Sequence, residues 1–409
     1  MNDFFNVTDL KTLMGYVELF SPLKTEPVSL PEALGRVLGE DVVSPENLPG
    51  FARSTMDGFA VQAASTFGAS EANPAYLTIN GSVRMGETPA FSITPGEAAR
   101  ISTGGALPDG ADSVVIIEHT EAIDDTTIEV YKTVAPGQHV VQIGEDFTAG
   151  DRVLNQGQVL RPQDIGIMAA FGKESLPVHM QARVGIISTG DEIVPIGEIP
   201  DPGKIRDINS HTLSAMVSEA GGIPLRYGIV QDDAELLFTA CTNALSEADM
   251  LLISGGSSVG TRDFTVEVLN RLPDARILVH GIPISPGKPT IFARAGKMPI
   301  WGLPGHVVSA MVVFRSVVRP FLDRLNGLSN YRQTVWPIPA RMSRNISSAQ
   351  GRTDYLRVRI VKKEDGLWAE PILGKSGLLN TMIQADGLVA IDINTEGLDK
   401  GAPVMVVPI

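Results

Sequence analysis

The chain has 409 residues, 43% of them apolar and 20% charged, with 47 Asp and Glu against 33 Lys and Arg for a net charge of −14. That length exceeds what one hydrophobic core usually serves, so two to four domains are expected. The acidic balance makes a poor general binder of nucleic acid or of anionic membrane, so any anionic ligand must be held by local cations and backbone donors. The one cysteine, Cys241, excludes an intrachain disulfide and a cysteine-based zinc or iron–sulfur centre. Its apolar helical surroundings predict a buried structural thiol. No apolar run approaches the roughly 20 residues of a membrane span, and the N-terminus lacks a basic and then apolar leader pattern, so a cytoplasmic protein is expected.

In chain order, Leu10, Leu13, Met14, Val17 and Phe20 share one face of a predicted helix over 8–20, with Thr8 as its N-cap. A short helix with Pro31 at its first position follows. Alternating runs at 58–61, 75–79, 113–118, 128–131 and 139–143, broken by Gly and Pro, then predict a β-rich module. Its outer parts, about 1–45 and 140–180, enclose an inserted subdomain over about 46–139. From 181 to 328 the pattern becomes α/β. Strands are predicted over 183–188, 224–230, 249–254 and 276–279, a strand pair around 290–302, and helices over about 209–221, 233–246, 262–271 and 306–325. After a Gly327-Leu-Ser-Asn stop, five short runs over 334–409 predict a small barrel or sandwich.

Three apolar runs of the α/β segment end in glycine loops. They lead into Ser188-Thr189-Gly190-Asp191-Glu192, into Ser254-Gly255-Gly256-Ser257-Ser258-Val259-Gly260, and into Leu303-Pro304-Gly305-His306. In an open α/β sheet the ligand crevice lies at the carboxyl ends of buried parallel strands, where glycine lets backbone N–H groups approach closely. Asp191 and Glu192 suit either a hydrated Mg²⁺ or a helix N-terminus. The Ser254–Gly260 loop, with its hydroxyls and glycines before a helix, suits a phosphate cradle. It is neither a Walker A loop nor a dinucleotide fingerprint. Asp263 beyond it suits a helix cap or a metal. Ser285-Pro-Gly-Lys288-Pro fixes one ammonium between rigid flanks, ready for an anion or for solvent. His306 suits a phosphate donor or a cap. Arg352, Arg357 and Lys375-Ser376 offer positive charge near the end of the chain. No Gly-x-Ser-x-Gly or His-Glu-x-x-His pattern occurs, which disfavours a serine hydrolase and a catalytic zinc.

Read together, these motifs resemble one family. Pro49-Gly-Phe-Ala-Arg-Ser-Thr-Met-Asp57-Gly-Phe-Ala-Val, Arg100-Ile-Ser-Thr103-Gly104-Gly-Ala-Leu-Pro-Asp-Gly-Ala-Asp and Gly144-Glu-Asp146 are similar to the N-terminal region of the molybdopterin molybdenumtransferases, the MoeA and gephyrin E-domain family. Ser188-Thr-Gly-Asp-Glu, Asp207-Ile-Asn209-Ser, the Ser254–Gly260 loop, Pro286-Gly-Lys-Pro and Leu303-Pro-Gly follow in the family's order, and Gly351-Arg-Thr-Asp-Tyr-Leu-Arg357 resembles the start of its last module.

The resemblance implies a multidomain, elongated homodimer with a central doubly wound α/β domain of molybdopterin-binding type and a small C-terminal β-barrel. It implies a Mg²⁺-dependent enzyme that inserts molybdate into adenylylated molybdopterin and hydrolyses the adenylate, releasing AMP. Asp57, Asp146, Glu192, Asp232 and Asp263 are the implied acids, with Mg²⁺ near Glu192 and Asp232 or Asp263 assisting. The implied substrate contacts are Thr103, Gly104, Ser188, Thr189, Gly190, Asn209, Ser254, Gly255, Gly256, Ser258, Gly260, Gly305 and His306, with Lys288, Pro304, Arg357 and Ser376 around the metal oxyanion and the pterin end. In the family the Asp57 region reaches the crevice of the other subunit. Implied partners are a molybdopterin adenylyltransferase and molybdoenzyme maturation proteins, met transiently. Two departures stand out: many relatives carry Asn-Pro-Val where this chain has His306-Val307-Val308, and a lysine where it has Ser285. A tungstate-preferring paralogue, a related adenylyltransferase or pyrophosphatase, and a non-catalytic scaffold are the competing readings.

Overall fold

The computed structural model describes residues 7–255, 264–329 and 336–409. The chain divides into two compact units. One comprises Asp41–Asn155 with Ile167–Gly172, the other Met1–Glu40, Gln156–Gly166 and Lys173–Ile409. The smaller unit thus extends past the expected 46–139, because Val42–Val43 pairs with Arg152–Leu154 and ties the two ends of the insert together.

In the smaller unit six strands form one sheet, in the order Ser113–Ile116, Gly58–Val61, Glu97–Ile101, Ala75–Ser82, Thr127–Val130, Thr120–Ala122. All four residues of Gly58–Val61 are buried: Phe59 and Val61 join one apolar cluster and Ala60 another, so the sheet is covered on both faces. Successive strand residues point to opposite faces, which is why an uninterrupted apolar run marks a strand buried on both sides.

The larger unit opens with Leu10–Gly15, an α-helix that continues as a 3₁₀ turn over Tyr16–Leu19. Its cap is Asp9 rather than Thr8. The Asp9 carboxylate accepts from the Thr12 N–H at 2.9 Å and the Thr12 hydroxyl at 2.6 Å, satisfying a donor the helix leaves open. The predicted face is the buried one: Leu13, Val17 and Phe20 enter the main core, with Leu10 and Met14 packed against it.

The α/β domain runs β1 (Arg183–Thr189), α1 (Asn209–Glu219), β2 (Ile223–Val230), α2 (Ala234–Glu247), β3 (Met250–Ser254), α3 (Phe264–Arg271), β4 (Ala275–His280), β5 (Ile284–Ser285), β6 (Ile291–Ala295), β7 (Met298–Leu303) and α4 (Val307–Val313). A π turn over Phe314–Val318 then joins α4 to α5 (Arg319–Leu325). The predicted single helix over 306–325 is interrupted there, next to Pro320, which has no N–H for a regular α bond. The sheet order is β2-β1-β3-β7-β6-β4. The first four strands are parallel, while β6 and β4 pair antiparallel at one edge, so the sheet is mixed. Both faces are filled. On one, Phe20, Phe292, Trp301 and Phe321 stack with ring centroids 4.5–6.3 Å apart, contacts each worth about 0.5–1.5 kcal/mol beyond their area.

On the other face lies Cys241, wholly buried in α2 among Leu237, Ala244 and Ile253. Burial pushes its thiol up to about 12. The thiolate is the reactive form, so iodoacetamide at pH 8 is expected to leave Cys241 unlabelled in the native protein and to alkylate it fully in denaturant. Stoichiometric labelling of folded protein would contradict this placement.

The last domain is β8 (Ile338–Met342), β9 (Thr353–Lys363), β10 (Gly366–Pro371), β11 (Gly387–Ile391) and β12 (Pro403–Pro408). Their order β9-β10-β8-β12-β11, with β11 returning to β9, closes a five-stranded barrel around Met342, Val358, Ala369, Val389 and Val406. The two-residue strand β5 adds to β9 in parallel, pairing Ile284 with Thr353 and Ser285 with Asp354. That pairing stitches the Ser285–Pro289 loop of the α/β domain to the barrel.

Candidate functional site

The carboxyl ends of β2, β1, β3 and β7 lie side by side, so the loops after them share one rim of the sheet. At the centre Asn209, the first residue of α1, ties them together. Its amide donates to the Ser254 hydroxyl at 2.6 Å and to the Gly305 carbonyl at 2.8 Å. Gly190 donates to Val230 O at 3.2 Å and Gly255 to Leu303 O at 3.3 Å, so the rim is also held by its own backbone. Gly255 has φ +105°, and a Cβ there would lie 2.1 Å from Thr189 O.

A cleft of about 1280 Å³ opens over this rim. Thr189, Gly190, Glu192, Asn209, Asp232, Ser254, Gly255, Lys288, Pro304, Gly305, His306 and Ser376 all line it. The structure therefore brings together twelve expected residues from seven separate stretches of sequence. Gly256, Ser258, Gly260 and Asp263 lie outside the described residues.

The strand order separates charge along the cleft. Acids follow β1 and β2: Asp232 N–H donates to the Asp191 carboxylate at 3.2 Å, and Glu192 folds back over Gly190. Burial, and then the negative charges of Asp191 and Glu192, hold the Asp232 carboxyl above the usual carboxylate range. The Thr189 hydroxyl at this end is buried and has no hydrogen-bond partner among the described residues. Toward the barrel the lining turns cationic, with Lys288 on the loop after β5 and Arg352 just before β9. There the His306 Nδ1 lies 2.8 Å from the Ser376 hydroxyl, and Val308 N–H donates to Ser376 O at 3.2 Å. The His306 side chain does not cap α4.

Two expected contacts sit behind the cleft rather than in it. Ser188 is buried and donates to Asp207 at 2.9 Å, and Asp207 also accepts from the N–H and hydroxyl of Ser210 at the start of α1. Arg357 is buried inside the barrel domain, donating to Thr381 Oγ1 at 3.1 Å and to Gly374 O at 2.9 Å. It braces the loop that carries Ser376, while Arg352, whose Nε is paired with the Asp354 carboxylate at 2.8 Å, is the guanidinium that lines the cleft. Arg206 and Asp207 line the cleft as well. The Asp207-x-x-Ser210 capping spacing is readable in sequence. Nothing in the sequence marks Arg206, whose Nε donates to the carbonyls of Ile196 and Glu198.

Among the described residues no three His, Cys, Asp or Glu side chains converge as metal ligands. Also among these residues, no helix is long and apolar enough to cross a membrane.

In the smaller unit the three N-terminal motifs meet. The Asp57 carboxylate accepts from the Thr103 N–H at 2.7 Å and its hydroxyl at 3.1 Å, and Gly104 N–H donates to Ser54 O at 2.8 Å. Gly144 donates to Pro49 O and Asp146 N–H to Leu48 O, both at 3.0 Å. Asp57 and Asp146 are both exposed.

Known proteins match this chain along its whole course. Residues 8–172 match the family described as "MoeA N-terminal region (domain I and II)", 185–324 the "Probable molybdopterin binding domain", and 339–409 the "MoeA C-terminal region (domain IV)". A Methanocaldococcus jannaschii protein named for molybdopterin biosynthesis is 39% identical over 388 residues, covering 92% of this chain and 90% of its own. The molybdopterin molybdenumtransferase of Bacillus subtilis is 32% identical over 387 residues, covering 94% and 89%. Among solved structures, a MoeA protein of molybdopterin biosynthesis from Pyrococcus horikoshii OT3 superimposes with a TM-score of 0.86 at 31% identity, covering 99% of this chain and 100% of that one.

Proposed function

The chain belongs to the MoeA family of molybdopterin molybdenumtransferases, transferases of molybdenum cofactor biosynthesis, and from that premise we propose that it inserts molybdate into adenylylated molybdopterin in the cytoplasm, hydrolysing the adenylate and releasing AMP. The observation that carries the reading is the charge order of the cleft, acidic at the ends of β1 and β2 and cationic beside the barrel.

The acidic end fits Mg²⁺. Glu192 and Asp232 offer hard oxygen donors, their mutual repulsion favours a cation, and the buried Thr189 hydroxyl lacks a partner among the described residues. Glu192 and Asp232 would hold the ion, leaving other positions to water and substrate oxygens. When bound, Mg²⁺ neutralises charge on the pyrophosphate linkage. This chain's own residues do the remaining work. The glycine turns of the rim leave room for phosphate, Asn209 fixes the spacing of the loops, and Lys288, Arg352 and Ser376 take the oxyanion. Asp57, held by Thr103 beside Gly104, and Asp146 complete the site from the second subunit of a homodimer.

The test uses two inactive variants. Asp57→Ala and Glu192→Ala proteins, each alone, are expected to release almost no AMP from adenylylated molybdopterin. Refolded together in equal amounts, half the dimers are mixed and carry one intact site of two, so activity returns to about a quarter of wild type per subunit. Full activity of either variant alone would refute the assignment of that acid. Two inactive variants that stay inactive when mixed would refute the shared site.

A further inference from the structure

We propose that His306 is a positioning residue that sets the hydrogen-bonding sense of the Ser376 hydroxyl, and with it the affinity of the cationic end of the cleft for a tetrahedral oxyanion. The inference rests on the reading above that this end takes the oxyanion. It goes beyond that reading by assigning a task to a side chain that stands where many relatives carry Asn.

Three observations support it. His306 and Ser376 approach from different domains, Nδ1 to Oγ 2.8 Å, and both line the cleft. The imidazole has no structural task as a cap, since no side-chain bond to α4 is made. The Ser376 backbone is already fixed, because Val308 N–H donates to Ser376 O and buried Arg357 holds Gly374 O. The free variable is therefore the hydroxyl alone. The other charged groups lining the cleft are Glu192, Arg206, Asp207, Asp232, Lys288 and Arg352, with Lys375 adjacent to Ser376 in sequence.

A hydroxyl has one proton to give and lone pairs to receive. If Nδ1 is bare, Ser376 spends its proton on His306 and presents only lone pairs to the cleft, which repel an anion. If Nδ1 carries a proton, His306 donates to Ser376 Oγ and the serine proton is released toward the anion. Oxyanion binding must then select the Nδ1–H form of the ring, by tautomer exchange or by proton uptake.

The experiment follows the His306 ring by ¹⁵N NMR in the full-length protein while molybdate is added, with calorimetry on the same samples. The expected result is a move of Nδ1 from the bare to the protonated shift, in step with binding. His306→Asn, whose amide can present an N–H to Ser376, is expected to keep molybdate affinity within about 3-fold. His306→Ala should weaken it about 10-fold, the loss expected for one hydrogen bond to a charged group. Ser376→Ala should weaken it similarly, and His306→Ala/Ser376→Ala together no further than Ser376→Ala alone, since the two act as a unit. Molybdate binding with Nδ1 unchanged, or losses that add in the double variant, would overturn the role of His306 and leave the proposed function standing. Absence of molybdate binding to the wild-type protein would instead sink the oxyanion reading beneath it.

Discussion

Glu192→Ala and Asp232→Ala are each expected to lower AMP release by about 100-fold or more, the scale of losing one group that stabilises transition-state charge. A stability measurement separates this role from simple misfolding. The Asp232 carboxyl is held above its usual range by burial and then by Asp191 and Glu192, so the folded protein binds that proton more tightly than the unfolded chain does. Stability from this group is therefore fully present below the unfolded value near 3.8 and is lost as pH rises through the raised one. At pH 8 the three carboxylates repel, and a divalent cation relieves the repulsion. Mg²⁺ should accordingly raise the melting temperature at pH 8 and do so much less at pH 4. Asp232→Asn should raise the melting temperature without Mg²⁺ and lose most of the Mg²⁺-dependent gain. A gain of equal size in wild type and Asp232→Asn would place the cation elsewhere.

The sequence made the strand ends readable because a strand buried on both faces must be apolar throughout. Val184–Ile187 and Met250–Ile253 are such runs, and the polar residue that ends each one marks the rim. The barrel was readable from short alternating runs, and closure of β11 onto β9 supplied what periodicity lacks. Local competition was harder to read. Thr8 and Asp9 are both capping residues, and only the geometry that lets Asp9 reach Thr12 decides between them. Arg352 and Arg357 stand five apart at the start of one strand. Pairing of β9 with both β5 and β11 decides which guanidinium faces the cleft and which is enclosed. Charge separation along the cleft arises from the order β2-β1-β3-β7, in which neighbours in space are not neighbours in sequence. No local pattern encodes that order, though the family resemblance carried it implicitly through the ordered motifs.

Gly255→Ala is expected to destabilise the protein by about 3 kcal/mol or more and to abolish AMP release, while Gly305→Ala, one loop away on the same rim, should change stability by less than about 1 kcal/mol. The two glycines look alike in sequence, each following a buried strand. Their surroundings differ. At Gly255 a Cβ would sit 2.1 Å from Thr189 O and 2.8 Å from its hydroxyl, and φ is +105°, where an L side chain is strained whatever space surrounds it. The obstacle is backbone on β1, so it can yield only by moving the strand end that carries Gly190 and Glu192. At Gly305 the nearest atom to a Cβ is Gly255 Cα at 3.7 Å, an ordinary contact. Chemical denaturation of both variants measures the difference directly. Equal stabilities would mean that β1 and β3 do not approach as closely as Gly255 requires. The glycine loops would then owe their form to turn geometry alone, and the close approach of β1 and β3 would not be what shapes the rim of the cleft.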